Sequence, residues 1–283
     1  MERELAQAAE QSTPPLPAPN DRPNIGLIGC GGMGTGDGQN AARHGNLVAI
    51  CDVDESHLNS VARRYSGNGP APEKFTDFRK LIARDNIHVI VNSTPDHWHT
   101  LINIAAAKAK KDVYGQKPLT LTIDEGKHLI KAVRDHKIVL QTGSQQRSDR
   151  RFRLACELVR NGRIGKLQTV TVYVPAGLVG GPFRATPVPE GLNWDLWLGP
   201  ASQVDYVKER CHSTFRWWFE YSGGPMTDCG AHHNDVARWA IGLDGPVAVE
   251  GQALTRPIEG GFNTPSEFEV TFTWANGVKY FVK

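Results

Sequence analysis

The stretch Gly29-Cys30-Gly31-Gly32-Met33-Gly34 decides the fold. Gly29, Gly31 and Gly34 fit the pattern G-x-G-x-x-G, directly after an apolar run, Asn24–Ile28, that reads as a β-strand. One glycine makes a tight turn, one lets the backbone approach a pyrophosphate, and one allows close helix–strand packing. The helix that opens next offers free N–H groups to phosphates. Gly32 and Met33 belong to the same dinucleotide-facing turn. A second apolar run, 47–51, ends in Asp52, eighteen residues past Gly34. A carboxylate there accepts from a ribose 2′-hydroxyl and repels a 2′-phosphate. No Arg or Lys follows in Val53-Asp54-Glu55, so NAD is expected rather than NADP. Asp54 is the alternative ribose partner, and a helix N-cap is its plainer reading.

Working outward, short β-branched runs recur at 24–28, 47–51, 87–91, 112–114 and 138–141. Between them lie helical patterns at 40–44, 56–65, 78–84, 100–109 and 123–135. Strands alternating with helices predict an α/β fold with a doubly wound parallel sheet. After Gly143 the pattern changes. A helix is expected over 152–161, closed by Gly162, and a strand over 167–174. A Gly/Pro/Trp-rich stretch at 176–224 precedes a helix near 231–241 and a strand at 246–251. Phe268, Val270, Phe272 and Trp274 then alternate, Asn276-Gly277 supplies a hairpin turn, and Val278, Tyr280 and Val282 alternate again. The expected organisation is a loose arm at 1–22, a Rossmann domain at 23–143 and an open-faced α/β (α+β) sheet domain at 144–283. The last run ends inside a strand, so a piece of a longer protein is expected.

Composition narrows the function classes. Hydrophobic residues make up 40% of the 283, charged residues 22%, and the formal net charge is +2. That leaves no basic stripe for nucleic acid, and the apolar runs are too short to span a bilayer. The first residues hold neither an apolar core nor an Arg-Arg pair, so no export signal is read. Five cysteines without C-x-x-C spacing point to a reducing compartment, and the cytoplasm is expected.

Three further stretches carry a resemblance: Ser93-Thr94-Pro95-Asp96-His97-Trp98-His99, Gln116-Lys117-Pro118, and Asp228-Cys229-Gly230-Ala231-His232-His233-Asn234-Asp235. With Gly143-Ser144-Gln145-Gln146-Arg147 and Tyr221-Ser222-Gly223-Gly224, the chain resembles the Gfo/Idh/MocA oxidoreductases, which include glucose–fructose oxidoreductase and inositol 2-dehydrogenase. The resemblance implies a Rossmann domain joined to an open-faced substrate domain, and a tightly held nicotinamide cofactor. It places Thr94, Pro95 and His99 beside the nicotinamide. To Lys117 it gives contacts with a substrate hydroxyl and the nicotinamide ribose. One landmark departs: the family usually has Glu-Lys-Pro, and here Gln116 precedes Lys117. Glutamine still hydrogen-bonds a ribose hydroxyl or carboxamide, without charge.

Oxidising a secondary alcohol needs a hydride acceptor, a base for the hydroxyl proton and a group that orients the substrate. Asp228 and His232, four apart at a helix start, project from one face. The helix N-terminus favours a neutral imidazole and Asp228 a protonated one. Lys117, Asp228 and His232 are the expected catalytic group. Asp235 and Arg147 are expected on the substrate. Trp217, Trp218 and Tyr221 are either a sugar-stacking platform or core. His97, His99, His232, His233 and Cys229 come from separate segments, and no metal is expected. The expected function is NAD-dependent hydride transfer on a sugar, polyol or cyclitol, and the resemblance implies a homo-oligomer. The alternatives are a redox-assisted glycosidase of the same fold and a non-catalytic dinucleotide sensor.

Overall fold

The computed structural model describes residues 22–65, 70–242 and 245–283. The expected arm therefore lies outside the described residues, apart from Arg22.

The first half runs β1 (Asn24–Ile28), α1 (Gly32–Ala41), β2 (Asn46–Cys51), α2 (Glu55–Tyr65), β3 (Glu73–Phe75), α3 (Phe78–Ile82), β4 (Val89–Asn92), α4 (Asp96–Lys108), β5 (Asp112–Gly115), α5 (Ile123–His136) and β6 (Leu140–Thr142). The six strands form one parallel sheet in the order β3-β2-β1-β4-β5-β6. This is the doubly wound Rossmann order, whose direction reverses between β1 and β4. Leu27, Ile50 and Ile90 on the central strands are fully buried, as strands covered on both faces require. Helix α5 begins at a capping box: the Thr122 hydroxyl accepts from Glu125 N–H, and the Glu125 carboxylate accepts from Thr122 N–H.

Three sequence expectations are corrected. The first helix spans Gly32–Ala41, not 40–44. Glycines at 32, 34, 36 and 38 give it poor intrinsic propensity and hide it from periodicity, while packing demands those at 34 and 38. A Cβ on Gly38 would sit 3.0 Å from Leu27. The fourth helix starts at Asp96, four residues before the expected 100, because its first turn is polar: Pro95 is the N-cap and Asp96 faces the positive helix end. Strand β3 has no counterpart among the expected strands. It is three residues long, charged and at the sheet edge, where such composition is normal.

The second half holds α6 (Arg150–Arg160), β7 (Thr169–Val172), α7 (Trp194–Leu198), α8 (Cys229–Ile241), β8 (Ala248–Ala253), β9 (Phe268–Thr273) and β10 (Lys279–Val282). Its four-stranded mixed sheet has the order β7-β10-β9-β8, with only β7 and β10 parallel. The Asn276-Gly277 turn sets the β9–β10 register, pairing Thr273 with Lys279, and Gly277 takes φ +84°. Ala237 of α8 packs on Trp274, Val278, Tyr280 and Val282. Strand β8 is exposed throughout.

The Gly/Pro/Trp-rich stretch is not a bare loop. It carries α7 and a buried cluster of Leu192, Trp194, Trp197, Leu198, Tyr206, Phe215, Trp218 and Tyr221, which Phe262 joins from outside the stretch. Main-chain bonds fasten it to the first half beyond β2: Glu55 N–H to Gly191 O at 2.9 Å and Asn193 N–H to Val53 O at 2.9 Å. The Trp98 indole donates to Trp197 O at 3.0 Å. Among the described residues, no helix is long and apolar enough to cross a membrane.

Candidate active site

A cleft of about 530 Å³ runs along the carboxyl ends of β1, β2, β4 and β5 and reaches α8. Ligands of open α/β sheets bind at this edge, beside the strand-order reversal. The glycine turn forms one end. Gly29 has φ +89°, and a Cβ on it would lie 2.6 Å from the Ser93 backbone. A Cβ on Gly34 would lie 1.8 Å from Gly29 O, so helix and strand approach as the motif demands. At Gly32 a Cβ would meet nothing within 4 Å, and at Gly31 only the His57 ring, at 3.8 Å. The turn is thus packed on its protein side and open toward the cleft, above N–H groups that no N-cap side chain covers. Met33, 46% exposed, stands on the same open side. These residues fit a dinucleotide pyrophosphate.

Asp52 lines the cleft beside this turn. Its oxygens accept from Cys30 N–H at 2.6 Å and from Asp54 N–H at 2.9 Å. Burial pushes its carboxyl up, and the N–H donors of Asp54 and Cys30 pull it down. Asp54 turns its other way: one oxygen accepts from Ser56 N–H and Oγ, and the second lies 3.2 Å from His212 Nε2. His57, His212 and Asp54 bring donor atoms within 4.8 Å of one another at the rim of this end. The histidines and cysteine weighed in the sequence do not gather this way among the described residues. His97, 2% exposed, meets Trp197 O through Nε2. Burial lowers its pKa to about 4, which keeps it neutral.

At the other end, the Lys117 ammonium lies 2.7 Å from Asp228 Oδ1 and also donates to Asp228 O at 3.1 Å. Arg216 Nε reaches the same Oδ1 at 3.1 Å. Burial alone would raise Asp228, but Lys117 and Arg216 together hold its carboxyl below the usual carboxylate range. Asp228 therefore orients Lys117, while its charge also favours the protonated form of His232. Its side chain does not cap α8 either. The imidazole of His232 lines the same cleft, with Gln145 Nε2 at 3.4 Å from its Nε2. Burial and then the Lys117 charge lower its pKa, leaving a neutral imidazole.

Thr94 and Pro95 line the cleft between the two ends. His99 does not reach it. It is 1% exposed, with Nδ1 2.6 Å from Pro118 O and Nε2 2.8 Å from Thr94 O. His99 ties the Thr94 loop to the Lys117–Pro118 turn, whose peptide bond is cis. Gln116 lines the cleft, but its amide is engaged within the protein: Nε2 donates to Asp37 and Oε1 accepts from Lys117 N–H.

The expected substrate residues lie elsewhere. Arg147 and Asp235 form a two-point ion pair, at 2.7 and 2.8 Å, and neither lines the cleft. Trp217 is half-buried against Gly177, Trp218 is 2% exposed and Tyr221 fully buried, so the aromatic cluster is core. Arg216, His57, His212 and Asp37 were missed. Arg216 sits in Phe215-Arg216-Trp217, a run legible only for its aromatics.

Two family profiles match this chain. The NAD-binding Rossmann fold of the GFO_IDH_MocA oxidoreductase family matches residues 23–144, and the C-terminal alpha/beta domain of the same family matches residues 174–282. The chain belongs to the Gfo/Idh/MocA oxidoreductase family. This Gfo/Idh/MocA chain is 28% identical over 256 residues to the uncharacterized oxidoreductase YrbE of Bacillus subtilis, covering 89% of the chain and 64% of the relative. It is 28% identical over 235 residues to myo-inositol 2-dehydrogenase of Thermotoga maritima, covering 80% and 59%. It thus spans less than two thirds of either relative. Among solved structures, levoglucosan dehydrogenase in complex with NADH and levoglucosan matches with a TM-score of 0.69 at 24% identity, covering 92% of this chain and 66% of that one. The WlbA dehydrogenase of Bordetella pertussis, in complex with NADH and UDP-GlcNAcA, matches with a TM-score of 0.68 at 22% identity, covering 92% and 70%. These likenesses establish the two-part fold, with the first half an NAD-binding Rossmann fold.

Proposed function

We propose that this protein is an NAD-dependent dehydrogenase acting on a secondary alcohol of a sugar, polyol or cyclitol. In this reading residues 23–143 bind the cofactor, residues 144–283 receive the substrate, and the enzyme works in the cytoplasm. One observation carries it: Lys117, paired with Asp228, and the neutral imidazole of His232 share one cleft with the glycine turn. NAD bound through Gly29–Gly34, Asp52, Thr94 and Pro95 supplies a hydride acceptor. His232 takes the hydroxyl proton on its imidazole, which a lowered pKa leaves uncharged at neutral pH. Lys117, fixed by Asp228, donates to the reacting hydroxyl oxygen and stabilises the charge that grows there. Arg216 holds Asp228 from the other side and keeps it ionised. Two of the relatives are named dehydrogenases of myo-inositol and of levoglucosan, polyhydroxylated rings of this class.

The test is a panel of sugars and cyclitols incubated with NAD, followed by reduced-nicotinamide absorbance. Accumulation of NADH with a free sugar or cyclitol is expected. Release of the aglycone from an aryl glycoside without net reduction would replace this reading with the glycosidase one. Tight NADH binding with no turnover of any panel member would favour the sensor.

A further inference from the structure

Gln116 stands where the family landmark carries a glutamate, and its surroundings give the change a physical counterpart. Its side chain is 5% exposed. Nε2 donates to Asp37 Oδ2 at 2.9 Å, and the Ser93 hydroxyl donates to the same oxygen at 2.7 Å. On its far side, Oε1 accepts from Lys117 N–H at 3.2 Å. A Cβ on Gly143 would lie 3.1 Å from the amide, so the group is packed in place. An acceptor at 37 decides which end of the amide faces α1, and so which end faces Lys117. Asp37 does not line the cleft. Yet it joins three segments that do: the glycine helix, the Ser93-Thr94 loop and the Gln116-Lys117 turn. A glutamate at 116 would set two carboxylates at hydrogen-bond distance in a part-buried site, where one ionises more readily than both.

We propose that Asp37 is a positioning residue of the nicotinamide end, and that Asp37 and Gln116 form a pair, carboxylate on the helix and amide just past β5, in which a glutamate at 116 is accepted only with an amide at 37. Making Asp37→Asn and Gln116→Glu at once keeps every hydrogen bond. The introduced asparagine donates through its amide nitrogen to the introduced glutamate and to the Ser93 hydroxyl oxygen, while that glutamate still accepts from Lys117 N–H. Around the pair, the Lys117 ammonium is held by Asp228. Burial and then Asp37 push the Tyr114 phenol up. His99 is fixed between Thr94 O and Pro118 O.

The pair rests on the catalytic reading of Lys117 only for its effect on turnover, so its test reads NADH binding, which needs no substrate. NADH affinity and thermal unfolding are measured for wild type, Gln116→Glu, Asp37→Asn and the double variant, from about pH 6 to about pH 9. For Gln116→Glu, the NADH Kd is expected to rise about tenfold or more with pH, as the second carboxyl is forced to ionise. The double variant is expected to be flat in pH and within about threefold of wild type. Where Gln116→Glu fails to fold, the double variant is expected to recover folding and NADH binding. Wild-type affinity across the pH range in Gln116→Glu, or a double variant no better than it, would overturn the proposal.

Discussion

The ammonium of Lys117 and the carboxylate of Asp228 meet at 2.7 Å across 111 residues of chain. The contact joins the carboxyl end of β5 to the first turn of α8, and thereby the Rossmann half to the second half. Arg216 closes it from the side, so one carboxylate answers two cations. Removing Asp228 leaves two cations without their shared carboxylate, whereas removing Lys117 leaves Asp228 its contact with Arg216, so the first loss is the costlier.

Lys117→Ala and His232→Ala are each expected to lower kcat by about 10²–10⁴-fold while NADH still binds. Steady-state turnover beside NADH fluorescence titration checks this. Wild-type turnover in both variants would remove the assignment.

The imidazole of His232 is expected to titrate below the ordinary histidine value of about 6.5, since burial and Lys117 both disfavour the cation. The acid limb of kcat/KM therefore rises with pH below neutrality and is flat by about pH 7. In Lys117→Met the ring titration, followed by NMR, moves upward. A wild-type ring that titrates above about 6.5 contradicts this.

Asp228 also contributes to stability in a defined window. Its folded pKa is depressed, so its stabilisation is present above the unfolded value of about 3.9 and is lost as pH falls through the lower folded value. Asp228→Asn is expected to flatten that part of the acid-unfolding curve. An unchanged acid limb in the variant would contradict the pairing.

The glycine turn separates cofactor contact from packing. Gly34→Ala puts a Cβ 1.8 Å from Gly29 O and is expected to lower Tm and abolish NADH binding together. Gly32→Ala meets no protein atom within 4 Å, so Tm is expected to hold while NADH binding weakens. Equal effects of the two on Tm would contradict an open cofactor side.

The exposed Arg147–Asp235 pair gives a negative control. Arg147→Ala is expected to cost no more than ~1 kcal/mol and to leave kcat unchanged, because the pair stands outside the cleft. A large kcat loss would return Arg147 to the substrate site.

Much of the Rossmann half was legible because its signals are local. Strands buried on both faces read as apolar runs, and the glycine spacing of the turn is a local signature, as the approach of Gly34 to Gly29 O shows. What stayed hidden depends on distant partners. The first helix was masked by the glycines that its packing on Leu27 and on the Gly29 turn requires. The four-residue spacing of Asp228 and His232 placed both near the cleft but could not show that Asp228 spends its charge on Lys117 and Arg216. Arg147 and Asp235 looked like substrate residues separately, because nothing in a linear reading reveals that they satisfy each other. Asp37, inside a glycine-rich helix, carries no signal until Gln116 is seen facing it.

Hydride transfer itself is tested most directly by deuterium. Ring-perdeuterated myo-inositol and glucose are incubated with NAD and the protein, and the reduced cofactor is analysed by mass spectrometry. The expected result is reduced nicotinamide carrying one deuterium from a ring carbon, formed about a hundredfold or more slowly by His232→Ala. Reduced cofactor without the label, or label formed as fast by His232→Ala, would contradict a dehydrogenase built on Lys117, Asp228 and His232.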